Sequence, residues 1–281
     1  MTANEKEYNQ LSFSDDFIFC KVLSQNPELC RELIGLILNK EIGELCIPQA
    51  QKPIKITADG KGIRFDIYVE ENGNRTVYDI EMQTTASKNL PKRSRYYQGM
   101  IDLNIISAGD DYNKLRRSYV IFICLQDPFG KGRHLYTFEN VCLQDHTLHL
   151  EDQASKIFLC ANASGDNISE NLKDFLLYVA DGKPRDDFSK KLDLAVERAR
   201  NNEEWRTEYM TLLMRDNEKR EEGRMEGRAE GRVEGRMELG GDVIRNLISS
   251  GQTYEQIRVT FSSVDDKEFA SLYEAARSSE K

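Results

Sequence analysis

Ile63 to Glu70 reads IRFDIYVE and Thr76 to Gln83 reads TVYDIEMQ. Both runs alternate apolar and polar residues and are rich in β-branched and aromatic side chains, the period-two pattern of a strand. Asn72-Gly73-Asn74-Arg75 between them is a turn signal, so the stretch predicts an antiparallel β-hairpin. Strict alternation puts Arg64, Asp66 and Tyr68 on one face of the first strand and Phe65, Ile67 and Val69 on the other. On the second strand Asp79, Glu81 and Gln83 share a face, opposed by Tyr78, Ile80 and Met82. A four-residue loop pairs Glu71 with Thr76 and sets Asp66 directly opposite Glu81, with Cβ atoms about 5 Å apart. Like charges placed so repel each other. Mg²⁺ between them relieves the repulsion, because it takes one or two carboxylates and keeps waters and phosphate as its other ligands. By pattern alone, a solvated acidic sheet face accounts for the same residues.

Outward from the hairpin, residues 15–39 read as a helix. Phe17, Val22, Leu29, Leu33, Leu36 and Ile37 recur near a 3.6 period, interrupted only by Pro27. Residues 90–108 predict a second helix, with Pro91 in its first turn. Ser118 to Leu125 (SYVIFICL) is a continuous apolar run, the mark of a strand buried on both faces. Residues 133–141 predict one more strand. Residues 142–167 are polar and turn-rich, with an apolar island at Ile157 to Cys160, and 169 to about 213 is helical again. This order predicts an α/β fold, a mixed sheet with helices on its faces, followed by a helical extension.

The assembled order resembles a known family. SDDFIFCKVL, IRFDIYVE, VYDIEMQ, NLPKRSRYYQGMID, SYVIFICLQDPFGKGRHLYTF and KIFLCANAS, spread over roughly residues 11–180, are similar to the Rpn family. These are recombination-promoting nucleases, also labelled transposases, of the PD-(D/E)XK (restriction-endonuclease-like) superfamily. The resemblance implies a nuclease domain over 1–167 and a metal centre on the hairpin. Asp66 and Glu81 would be metal ligands, with the Met82 carbonyl as a further one and Asp16 as the upstream acid. Gln83 takes the place of the superfamily lysine, and Phe65 stands where that motif has proline. Glutamine orients an attacking water by hydrogen bonds but supplies no charge. The implied reaction is Mg²⁺-dependent (or Mn²⁺-dependent) hydrolysis of DNA phosphodiester bonds.

Net charge is −9 in 281 residues, which argues against indiscriminate adhesion to nucleic acid. The charge is unevenly spread. Between Lys88 and Arg133 nine Lys and Arg residues face four Asp, a local +5. Lys92, Arg93, Arg95, Tyr96 and, on the first helix, Lys21 are candidate DNA contacts, with ordinary surface charge as the competing reading. Six cysteines lack metal-ligand spacing and read as free thiols, and His134 reads as a satisfied core or edge histidine. No run is long and apolar enough for a membrane span, and the polar opening MTANEKEYNQ does not look like a secretory signal. With reduced thiols, this points to the cytoplasm.

From Glu222 the chain repeats EGRM EGRA EGRV EGRM. An isolated helix of this kind is poor, since each Gly costs about 1 kcal/mol relative to Ala and i, i+4 neighbours carry like charges. Gly at every fourth position lets two backbones approach closely, and a parallel pair sets Glu flanks against Arg flanks. The expectation is a homodimer through 222–238. Residues 168–220 then form a helical region, 221–239 the repeat helix and 240–281 a small helical tail, in which Gly251 ends one helix and Thr253 caps the next. The functional alternatives are a catalytically weak or inactive nuclease-fold protein that binds DNA or mediates assembly, and a nuclease that acts on RNA.

Overall fold

A computed structural model of the chain describes residues 6–54, 62–73, 76–165 and 168–278, apart from the side chains of residues 233, 234 and 236. They form two compact units that divide between Tyr209 and Met210.

In the first unit the helix expected over 15–39 is two helices, α1 (Asp16–Gln25) and α2 (Pro27–Leu38). Pro27 lacks an N–H and disfavours helical geometry at the residue before it. Asn26 accordingly leaves the helix at ψ 76° and Pro27 opens α2. Next come β1 (Gln49–Ile54), β2 (Ile63–Glu70), β3 (Val77–Gln83), α3 (Leu90–Ile105), β4 (Ser118–Cys124), β5 (Leu135–Phe138) and β6 (Ala154–Cys160). The hairpin, α3, β4 and β5 match the sequence reading. Two strands escaped it. β1 is an edge strand carrying Pro53, without a clear alternation. β6 lies inside the polar stretch 142–167, where only Ile157 to Cys160 betrays it.

The six strands form one mixed sheet in the order β1-β2-β3-β4-β6-β5. β3, β4 and β6 run parallel at its centre, while β1 and β2 on one side and β5 on the other are antiparallel to their neighbours. Parallel neighbours need a crossover, and α3 supplies it between β3 and β4. α3 covers one face of the sheet, where Leu90, Tyr97, Met100 and Ile101 pack with Phe65, Tyr68, Val120, Phe122 and Phe158. Every residue of β4 is buried, as its unbroken apolar run requires. α1 packs against β1 and β2, α5 (Asp187–Arg200) packs on α1 and α2, and α4 (Glu170–Asp181) packs on α2 and α5.

α6 (Glu203–Ser249) is one continuous helix of 47 residues; it is assigned to the first unit up to Tyr209, and the rest of it, the repeat included, belongs to the second. The sequence predicts separate helices there. The repeat spaces Glu and Arg two residues apart, and the i, i+3 bridge Arg224–Glu221 at 2.5 Å is made to the glutamate just before the repeat. Gly251 (φ +83°) lies just beyond its end, and Thr253 caps α7 (Tyr254–Thr260) in a capping box with Gln256. α8 (Asp266–Ser278) completes the second unit, whose core is Ile244, Ile257, Phe269, Leu272 and Ala276. No helix among the described residues is long and apolar enough to cross a membrane.

Candidate active site

The hairpin pairs Ile67 with Ile80 and Glu70 with Val77, and the Glu71 N–H donates to the Thr76 carbonyl at 2.9 Å. One step further, this register sets Asp66 opposite Glu81, as the four-residue loop predicts. There the side chains take over from the backbone ladder. The Asp66 N–H donates to Glu81 Oε1 at 2.8 Å, and the Met82 N–H donates to Asp66 Oδ2 at 3.0 Å. Each carboxylate thus accepts from the opposite strand.

Strict alternation fails at the same place. Phe65, expected on the face opposite Tyr68, packs against it with ring centroids 5.6 Å apart, and both meet α3. The β1–β2 pairing skips the position where Gln51 faces Asp66, and Gln51 has a left-handed backbone (φ +51°). That kink resets the phase of both strands.

The acidic face of β3 is not solvated. Asp79 and Glu81 are both 0% exposed beneath α3. Arg93 reaches down from α3 to meet Glu81. Its guanidinium donates to Glu81 Oε2 at 2.5 Å, to Gln83 Oε1 at 2.9 Å and, through Nε, to the Tyr97 hydroxyl at 3.0 Å. Gln83 in turn donates through Nε2 to the Thr85 carbonyl and hydroxyl at 2.7 and 3.1 Å.

One guanidinium does not balance three carboxylates in a low-dielectric site. Burial, then the Glu81 and Asp16 carboxylates, push the Asp66 pKa up to about 8. Burial raises Glu81 as well, opposed by the Asp66 N–H and Arg93. Asp79 is raised well above the carboxylate range by burial and by Glu81 and Asp66. Neither Asp79 oxygen has a hydrogen-bond partner among the described residues.

On the α1 side, Asp16, Cys20 and Asp66 bring their ligand atoms within 4.8 Å of one another. Cys20 hydrogen-bonds Asp16 Oδ1 and the Asp66 carbonyl, and burial raises its pKa, so it stays a thiol. A protonated thiol is no ligand for a hard cation, which leaves the oxygens of Asp16 and Asp66. Asp15 is committed elsewhere, to Lys6 and Ser12. The donor set fits a divalent metal: hard carboxylate oxygens close together, with Asp66 lifted by burial and by the neighbouring Glu81 and Asp16 carboxylates.

The remaining sequence candidates are scattered. Lys21 pairs with Glu208 at 2.7 Å and lies over the rings of Phe17 and Trp205. Lys92, Arg95 and Tyr96 are exposed on α3. Arg93, grouped with them as a DNA contact, is instead drawn into the acidic cluster. Among the described residues all six cysteines are free thiols, and the buried His134 is hydrogen-bonded through Nδ1 to the Cys160 carbonyl at 2.8 Å. Sequence reasoning gave no role to Asp79, although its place two residues before Glu81 put it on the same face.

Searches among curated proteins and among solved structures found no match to the chain. A family model described as PD-(D/E)XK nuclease family transposase matches residues 14–172, from the start of α1 into α4. That span is more than half of the chain and contains the whole sheet with its carboxylates, and the protein belongs to this family.

Proposed function

We propose that the protein is a divalent-metal-dependent endonuclease that hydrolyses DNA phosphodiester bonds, in the setting of recombination or mobile elements. The observation that carries this reading is the interlock of Asp66 and Glu81 across β2 and β3, with Asp16 facing Asp66 from α1. Asp66 and Asp16 would hold the metal, with Glu81 and the Met82 carbonyl beside them. A bound Mg²⁺ or Mn²⁺ supplies Lewis acidity toward a phosphoryl oxygen and a more acidic water. The chain's part is to hold the carboxylates in one place and to exclude bulk water from β3 with α3. The exposed Lys92, Arg95 and Tyr96 on α3 would track the phosphate backbone.

The test is incubation of the purified chain with duplex DNA and with RNA, in Mg²⁺, in Mn²⁺ and in EDTA, beside Asp66→Ala and Glu81→Ala. Metal-dependent cleavage of DNA that both variants lose supports the proposal. Cleavage confined to RNA changes the substrate, and wild-type cleavage by either variant overturns the site. One observation favours a second reading, an inactive nuclease fold serving in DNA binding or assembly: the strand lysine is absent and the Gln83 amide is already engaged on both sides. We further propose that two chains pair in parallel through the repeat of α6. Its glycines are open, since an added Cβ at Gly223, Gly227 or Gly231 meets nothing within 4 Å.

A further inference from the structure

We infer that Arg93 supplies, from α3, the positive charge that the neutral Gln83 withholds from the strand, and that Gln83 serves to hold this guanidinium against Glu81. The inference rests on the nuclease reading for its chemistry, but its geometry stands alone. Arg93 is the one cation in an ion pair with Asp66, Asp79 or Glu81 among the described residues. It is fixed on three sides by Glu81, Gln83 and Tyr97, and its Cζ lies 5.0 and 5.2 Å from the ring centroids of Tyr97 and Phe122. Gln83 has its carbonyl turned to Arg93 and its amide nitrogen turned to the Thr85 carbonyl and hydroxyl. Its amide is therefore engaged within the chain and not turned to an attacking water, the role expected for it from the sequence.

Arginine suits this position in a way lysine does not. Its planar fork contacts several acceptors at once and stays charged at every working pH. Three of its five N–H bonds are used among the described residues, and the side chain is 35% exposed, so the guanidinium can also meet a phosphoryl oxygen of a bound strand. A cation at this point is placed to meet the charge that develops on a phosphate under attack. It makes Arg93 a positioning residue for Glu81 and a candidate contact to the scissile phosphate.

The experiment compares the full-length chain with Arg93→Gln, Arg93→Lys and the double variant Arg93→Gln/Gln83→Lys, which returns a lysine to the strand. Folding is checked for each by circular dichroism, and Mn²⁺ affinity is measured by calorimetry alongside DNA cleavage in Mg²⁺. Arg93→Gln is expected to lose about 100-fold in cleavage, the scale of one removed transition-state donor. It is expected to bind Mn²⁺ more tightly, because a cation that competes for Glu81 has gone. The double variant is expected to regain about tenfold in cleavage and to return Mn²⁺ affinity toward the wild-type value, with Arg93→Lys in between. A purely structural clamp predicts the opposite, weaker Mn²⁺ binding in Arg93→Gln and no rescue by lysine, and that result overturns the inference. If the wild-type chain cleaves no nucleic acid, the nuclease reading falls, and the Mn²⁺ titrations alone decide for or against Arg93.

Discussion

Asp66 and Glu81 are tied together across the hairpin through a side chain: the Asp66 N–H donates to Glu81 Oε1 at 2.8 Å, at the position where the strand register sets the two residues opposite each other. The acidic pair is thus part of the strand pairing as well as the candidate metal centre. Removing either side chain should abolish Mg²⁺-dependent cleavage, yet the stability costs should differ by variant. Glu81→Ala strands a backbone N–H and the partly exposed Arg93, a loss of about 1–3 kcal/mol in urea denaturation. Glu81→Gln keeps an acceptor for both and should cost less than about 1 kcal/mol while still losing cleavage.

The pH dependence of the metal-free protein follows from Asp66. Its pKa is pushed from 3.8 up to about 8, so over that window the folded chain holds a proton that the unfolded chain releases. Stability is therefore full at the acid end and falls as pH rises through about 8. Glu81 and Asp79 are shifted the same way, so Asp66→Asn should flatten the slope without removing it. Melting temperatures in EDTA from pH 5 to 9 measure this. Mg²⁺ should raise the melting temperature more at pH 9 than at pH 6, because its ligand must shed a proton to bind.

The open glycines of α6 separate helix propensity from helix pairing. Alanine at Gly223, Gly227 and Gly231 meets no neighbour in the chain and should add about 1 kcal/mol of helix propensity per site. In a close parallel pair the same methyl groups collide. The triple variant should therefore run as a monomer by light scattering where the wild-type chain runs as a dimer. A triple variant that remains dimeric removes the glycine contact.

Phe269 anchors the second unit, fully buried among Ile244, Ile257, Leu272 and Ala276. Phe269→Ala should cost about 3–5 kcal/mol there, since so small a core has little else to collapse onto. Hydrogen exchange should show α7 and α8 opening while β3, β4 and β6 stay protected.

Much of the first unit is legible from its residues because each element carries a local signal. The alternation of IRFDIYVE and TVYDIEMQ, the turn between them and the unbroken SYVIFICL identify strands that the structure contains. The opposition of Asp66 and Glu81 follows from loop length alone. β1 and β6 lack such a signal. One is a short edge strand and the other is embedded in polar loops, and both are strands through their pairing with β2 and β4.

What the sequence by itself determined was the two facing carboxylates, from periodicity and spacing within one hairpin, the mixed sheet, from the order of its elements, and the family, from the resemblance of motifs spread over roughly residues 11–180. Tertiary structure alone decided the environment of those carboxylates. It buried Asp79 and Glu81 under α3, reset the face of Phe65 through the left-handed Gln51, and turned Arg93 inward from a helix that reads as a basic surface. The reason is that a strand pattern records which side chains share a face, whereas the charge and dielectric they meet are set by whatever packs against that face from elsewhere in the chain.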